Sequence, residues 1–183
     1  MTSSVRQLIE AARLEPVAAP FDWAGVENTI GAAVPGDYRE LLDAGGGGLW
    51  LDYIRLNVPG PGAGFAHVDL EQAASEFEQL LFLFEEDITG APEDLEPGDR
   101  LLPWASTGTG LTLYWQVPPE VGAGAEVGAY PIRISDREGE VWERYELPTT
   151  DFLLRVVRGE GGVESGLLRE SWMKRDVLFK PYG

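Results

Sequence analysis

The stretch VPGDYRELLDAGGGG, Val34 to Gly48, sets the first question this chain poses. Four consecutive glycines suit a loop that cradles a phosphate, and they suit equally the end of a helix. A Walker-type phosphate loop needs a strand, then GxxxxGK followed by Ser or Thr, then a helix, and a dinucleotide loop needs GxGxxG opening a helix. Here the order is helix, glycines, strand, and the nearest lysine is Lys174. The helix stop is the better reading, because glycine favours the left-handed position that follows a helix. Gly45 is expected to take that position with positive φ, Gly46–Gly48 to turn the chain into a strand at Leu49, and no anion to sit at 45–48.

Upstream of the glycines, Pro35 fits the first turn of this helix, where its missing N–H costs nothing. Tyr38, Leu41 and Leu42 form the stripe to be buried. Asp22 can cap a helix over Trp23–Ile30, and residues 4–14 place Val5, Leu8, Ile9 and Ala12 on one side of another. Downstream, LWLDYIRLN (49–57) alternates like one strand, with Trp50, Asp52, Ile54 and Leu56 on one face. A Pro/Gly loop follows at 57–66. DLEQ (69–72) resembles a capping box and opens the longest helix, about 70–88. An acidic loop (89–99) leads to strands at about 101–105, 111–117, 129–135 and 140–147. TGTG (107–110) between two of them reads as a hairpin turn. Thr149 or Thr150 is placed to cap a last helix, DFLLRVVRG, which Gly159 ends. The tail 160–183 carries Trp172, Leu178 and Phe179 without a period and is expected to pack on the domain.

The composition narrows the function classes. The chain has 183 residues, suiting one domain, and a formal charge of −17 from 31 acids and 14 bases. Such a charge argues against direct binding of nucleic acid or an anionic membrane and suits a basic protein partner. There is no cysteine, which excludes disulfides and thiolate chemistry. The N-terminus lacks the apolar core of a signal peptide, and Leu80–Phe84 is far too short to span a bilayer, so a cytoplasmic location is expected. His67 is the sole histidine. Beside Asp69 and Ser75 or Ser106 it makes no recognisable triad. Adjacent carboxylates such as Glu85–Glu86–Asp87 have little specificity in so acidic a chain, and their spacing does not match a calcium loop. No residue pattern here supports an enzyme, and none calls for a cofactor or a metal.

Charge distribution says more. Between Arg55 and Arg100 there is no Lys or Arg, and the stretch holds eleven acids: Asp69, Glu71, Glu76, Glu78, Glu85, Glu86, Asp87, Glu93, Asp94, Glu96 and Asp99. On the long helix, Ala73, Phe77, Leu80, Leu81, Phe84 and Ile88 share one face and are expected in the core. Phe82 lies about 140° from Phe77, beside the flank carrying Glu71, Glu78 and Glu85. An aromatic ringed by acids has the form of a protein-binding hot spot, although LLFLF is apolar on nearly all sides and a second layer could bury Phe82. The expected contact residues are Glu78, Phe82, Glu85, Glu86, Asp94 and Trp104. Trp104 also joins Tyr114 and Trp115 on an aromatic-lined sheet face suited to a small molecule.

FDWAGVENTIGAAVPGDYRELLDAGGGG (21–48) resembles the opening of the SUKH superfamily, the SMI/KNR-type domain. The resemblance rests on Trp23, Glu27, Gly31, Val34-Pro35, Asp37-Tyr38 and Gly45-Gly46. LLPWASTGTGLTLYW (101–115) looks like the family's second block and PTTDFLLRVVRG (148–159) like its closing helix. Leu111 departs from the acidic or amide residue that family members commonly carry after the turn glycine. The resemblance covers 20–159, leaving 1–20 as an N-terminal helical segment and 160–183 as a tail. It implies a single α+β domain with a mixed, largely antiparallel sheet packed by helices. It also implies a non-enzymatic binding protein: an immunity protein that neutralises a cognate bacterial toxin by occluding it, a basic toxin such as a nuclease being one candidate. The alternatives are a regulatory scaffold of the SMI/KNR type, or a small-molecule-binding domain.

Overall fold

The computed structural model describes residues 1–60, 69–159 and 163–182. In it the glycine run ends a helix one residue later than expected: the helix is Gly36–Gly45, and Gly46 rather than Gly45 has the positive φ, 69° with ψ −175°. That combination is open essentially to glycine alone. The neighbouring glycines serve close approach. A Cβ on Gly45 would lie 2.6 Å from Leu14 Cδ1, and Cβ atoms on Gly47 and Gly48 would run into Val58 and the Phe179 ring. The run is therefore a stop followed by a seat for other parts of the same chain. His67 lies outside the described residues.

The helices are α1 (Ser3–Ala12), α2 (Trp23–Ile30), α3 (Gly36–Gly45), α4 (Ala73–Glu85) and α5 (Thr149–Arg158). The strands are β1 (Gly48–Trp50), β2 (Ile54–Leu56), β3 (Arg100–Thr107), β4 (Thr112–Val117), β5 (Ile132–Ser135), β6 (Trp142–Tyr145) and β7 (Phe179–Pro181). They form one sheet in the order β6-β5-β4-β3-β2-β1-β7. Every ladder is antiparallel. The parallel pairing among the described residues is an isolated bridge, Val58 with Asp69, so the sheet is antiparallel rather than mixed. The chain is a single-domain α+β protein.

The segment read as one strand, 49–57, is a hairpin. Tyr53 N–H donates to Trp50 O at 2.9 Å, and Leu51 and Asp52 both have φ 55°. Two left-handed central residues match the twist of flanking strands, yet neither is the Asn or Gly that such turns usually carry. Alternation could not reveal this, because Leu51 and Tyr53 are buried too.

The two faces of the sheet differ. On one, Leu113, Trp115, Val117, Ile132 and Ile134 are all buried under α3 and α5, with α1 packed against both helices. Tyr38 of α3 stands edge-on to Trp115 at 5.0 Å and to Trp104 at 5.9 Å, and Phe152 of α5 is 6.3 Å from Trp104. The Tyr38 hydroxyl donates to the carbonyls of Asn57 (2.6 Å) and Trp104 (3.1 Å), and burial pushes its pKa far up. The other face carries the cross-strand row Tyr114, Arg133, Arg144. There α4 lies along β3, with Phe84 against Trp142 at 6.1 Å.

Threonine does not cap α5 as expected. Thr149 is inside the helix and its hydroxyl accepts from Trp115 Nε1 at 3.0 Å. The cap is the Asp37 carboxylate of α3, which accepts from Thr150 N (2.7 Å), Thr150 Oγ1 (2.9 Å) and Tyr38 N (2.9 Å). Ser4 of α1 meets Thr150 Oγ1 at 3.0 Å, so one buried polar knot joins three helices. Desolvation raises the Asp37 pKa, partly offset by these donors.

Residues 163–182 run from one sheet edge to the other. Glu143 on β6 accepts from the backbone N–H of Gly166 (2.7 Å) and Leu167 (3.1 Å). Arg175 donates to the carbonyls of Val156 (3.1 Å) and Val157, which close α5. β7 then pairs with β1.

Candidate protein-binding face

α4 ends at Glu85, three residues short of the expected end, and Asp87 follows with φ 52°. Its buried stripe is narrower than the pattern implies. Ala73 and Phe77 are buried, Leu80 and Phe84 are half-buried, and Leu81 is 41% exposed. Leu81 lies about 40° from Phe77, on the side toward Phe82, where the sheet no longer reaches. Ile88 is 65% exposed because the left-handed Asp87 turns the chain away before it. Both are corrections to the expected core. Leu81 and Ile88 are also the residues that pattern reasoning missed as surface; the signal for Leu81 was its place at the edge of the stripe.

Phe82 is 57% exposed, so no second layer among the described residues covers it. It lines an open depression of ≈ 510 Å³ with Ser75, Glu78, Gln79 and Leu83. Glu78, Glu85 and Glu86 are exposed, and none of them is in an ion pair among the described residues. Large exposed apolar side chains rimmed by charge mark interaction surfaces. The chemistry available is apolar burial plus attraction for cationic side chains.

Of the expected contact residues, Trp104 is core and Asp94 is paired within the fold, its side chain 57% exposed. Trp104 is fully buried between Tyr38, Trp115 and Phe152 and cannot touch a partner. Trp115 is fully buried as well, and α4 and Trp142 cover the Tyr114 side, so the aromatic sheet face is core and not a small-molecule site. Asp94 is spent internally. Its carboxylate pairs with Arg133 at 2.7 Å and Arg144 at 2.9 Å. The hydrogen bond from Arg133 is the main cause of its lowered pKa. Arg133 and Arg144 stand directly opposite on β5 and β6, where like charges repel, and Asp94 relieves that repulsion while pinning the acidic loop to the sheet.

The residues that carried the sequence resemblance also work within the fold. Buried Glu27 accepts from Val34 N (2.9 Å) and Gly124 N (3.1 Å) and pairs with Arg39 at 3.3 Å. Trp23 Nε1 donates to Asp43 at 3.0 Å. Gly31 is the left-handed end of α2, where Arg100 donates to its carbonyl at 2.8 Å. Together with Asp37 and Tyr38 these residues fix how α2 and α3 meet the sheet; they do not converge on a ligand site.

Among the described residues no helix is long and apolar enough to cross a membrane, and no group of three or more acidic or histidine side chains is placed to hold a metal ion. No protein-family model, curated protein or solved structure matches the chain.

Proposed function

We propose that this chain is a non-enzymatic binding protein of the SMI/KNR type that neutralises a cognate toxin by occluding it. The exposed face of α4 is its contact surface, and a basic protein, such as a nuclease, is its partner. The observation that carries this reading is Phe82. A 57% exposed phenylalanine next to exposed Leu81, on the helix face that carries Glu78, Glu85 and Glu86, retains apolar area that the fold itself leaves in water. A partner that covers it gains that area, while the acids speed encounter with a cationic surface.

The test starts from a protein captured from native lysate on the wild-type chain. Phe82→Ala is expected to speed dissociation, at a cost of about 2 kcal/mol or more in affinity. The triple change of Glu78, Glu85 and Glu86 to Gln is expected to slow association, and added salt to mimic it. Co-expression of the wild-type chain should relieve toxicity of the captured protein, and Phe82→Ala should relieve it less. Binding indifferent to both variants and to salt would sink the proposal.

A further inference from the structure

α4 carries two arrangements that work against its own stability. The first is at its C-terminal end, where a helix is electrically negative and favours cations. Its last turn holds no base, and Glu85, Glu86 and Asp87 follow one another there. α5 shows the ordinary arrangement, with Arg155 and Arg158 in its last turn. The second is Phe82, left exposed. The depression it lines is bounded also by Ser75, Glu78, Gln79 and Leu83. Ser75, Glu78, Gln79 and Phe82 stand at i, i+3, i+4 and i+7, the four positions that frame the hole into which a neighbouring helix sets a knob. Along the flank of that row, Glu71, in the turn leading into α4, Glu78 and Glu85 follow a seven-residue spacing. None of the three is in an ion pair among the described residues.

Resting on the reading that this face is the contact surface, we propose that its occupant is one α-helix of the partner, amphipathic and basic, lying along α4. It sets an apolar side chain in the hole between Ser75 and Phe82, and Lys or Arg at seven-residue spacing faces the three glutamates. The occupant is a helix because α4 satisfies its main-chain groups internally and offers an extended peptide no ladder to join. It is not a second copy of α4, because two such faces would set unpaired acids against each other. α4 has 13 residues, so its length is about 20 Å, and a partner helix of about four turns matches it. The partner's cations also reach the carboxylates at the C-terminal end of α4, supplying the positive charge that the chain itself omits there.

The probe is a synthetic helical peptide of three heptads, about 21 residues, with Leu and Lys each repeated every seven residues. Titrated into the isotope-labelled wild-type chain, it should bind saturably and shift the NMR signals of Ser75, Glu78, Gln79 and Phe82, leaving those of β5 in place. Phe82→Ala should weaken it at least ~10-fold. A peptide of the same composition with its lysines scrambled, and one with a central proline that breaks the helix, should each bind at least ~10-fold more weakly. The double variant Glu85→Gln, Glu86→Gln should also weaken the peptide, yet raise the thermal unfolding midpoint by about 2 °C, because it relieves the unfavourable charge at the helix end. Equal binding of the three peptides, or a midpoint that does not rise, would overturn the proposal. These readings involve no captured protein. If a captured partner needs Phe82 while the three peptides bind alike, the helix is refuted and the contact surface stands; a captured partner indifferent to Phe82 refutes both.

Discussion

α5 and α4 look alike as sequence, each a short helix rich in Leu, Phe or Val, and the fold treats them in opposite ways. In α5 every large apolar side chain is buried: Phe152, Leu153, Leu154, Val156 and Val157. Each such burial is worth about 1.5–3 kcal/mol. In α4 the buried residues are Ala73 and Phe77, while Leu81 and Phe82 stay in water. The cause is what each helix meets. α5 lies in the angle between an apolar sheet face and two further helices, which reach it from several sides. α4 lies on a face whose outer strands present Arg133 and Arg144, and their charges draw the acidic loop instead of an apolar layer. The lesson is that an apolar helix is buried only as far as its neighbours supply apolar surface, and the remainder is available to a partner.

The sharpest way to break this comparison is to truncate one residue on each side. Trp104→Ala empties the centre of the helix-covered face and is expected to cost about 3–5 kcal/mol, read as a shift in the denaturation midpoint. Partner affinity of the folded fraction should be unchanged, since Trp104 is fully buried. Asp37→Ala leaves the Thr150 amide and hydroxyl of α5 without their acceptor and should cost about 2–4 kcal/mol by the same measurement. A change below ~1 kcal/mol would show that α5 does not depend on α3 for its cap.

On the other face the effects shrink. Asp94 titrates below its usual range, so its contribution is complete above the ordinary carboxylate value, about 3.9, and is lost as pH falls through the lowered value. Acidification through that window should release the acidic loop before the core melts. The Trp142 indole N–H, which donates to Gly90 O at 2.8 Å, should report the release in NMR spectra, and Asp94→Asn should show the released signal at neutral pH. Loop release only together with global unfolding would count against a separate clamp. Phe82→Ala should change stability least, within about 0.5 kcal/mol, because its side chain is mostly in water already. A loss of several kcal/mol would place Phe82 in the core and erase the contrast between the two faces.

Several features were legible in the sequence because their causes are local. Asp22 caps α2 through Gly25 N at 3.1 Å, Gly159 ends α5, and the TGTG turn joins β3 to β4 with Gly110 at φ 89°. The eleven acids between Arg55 and Arg100 are a property of composition, and the place of Phe82 opposite the buried stripe follows from helix geometry. Other features depended on residues far along the chain. That 49–57 is a hairpin rests on Lys174 and Leu178 gripping Leu51, more than a hundred residues away in sequence. That Asp37 caps α5 rests on a contact between positions 113 apart. Asp94 became a clamp because β5 and β6 set two arginines side by side, and Trp104 became core because α3 and α5 cover its face. Periodicity and capping rules report what a segment's own backbone favours. Which apolar faces are covered and which charges are paired is decided by long-range packing, and one sequence read segment by segment carries no record of it.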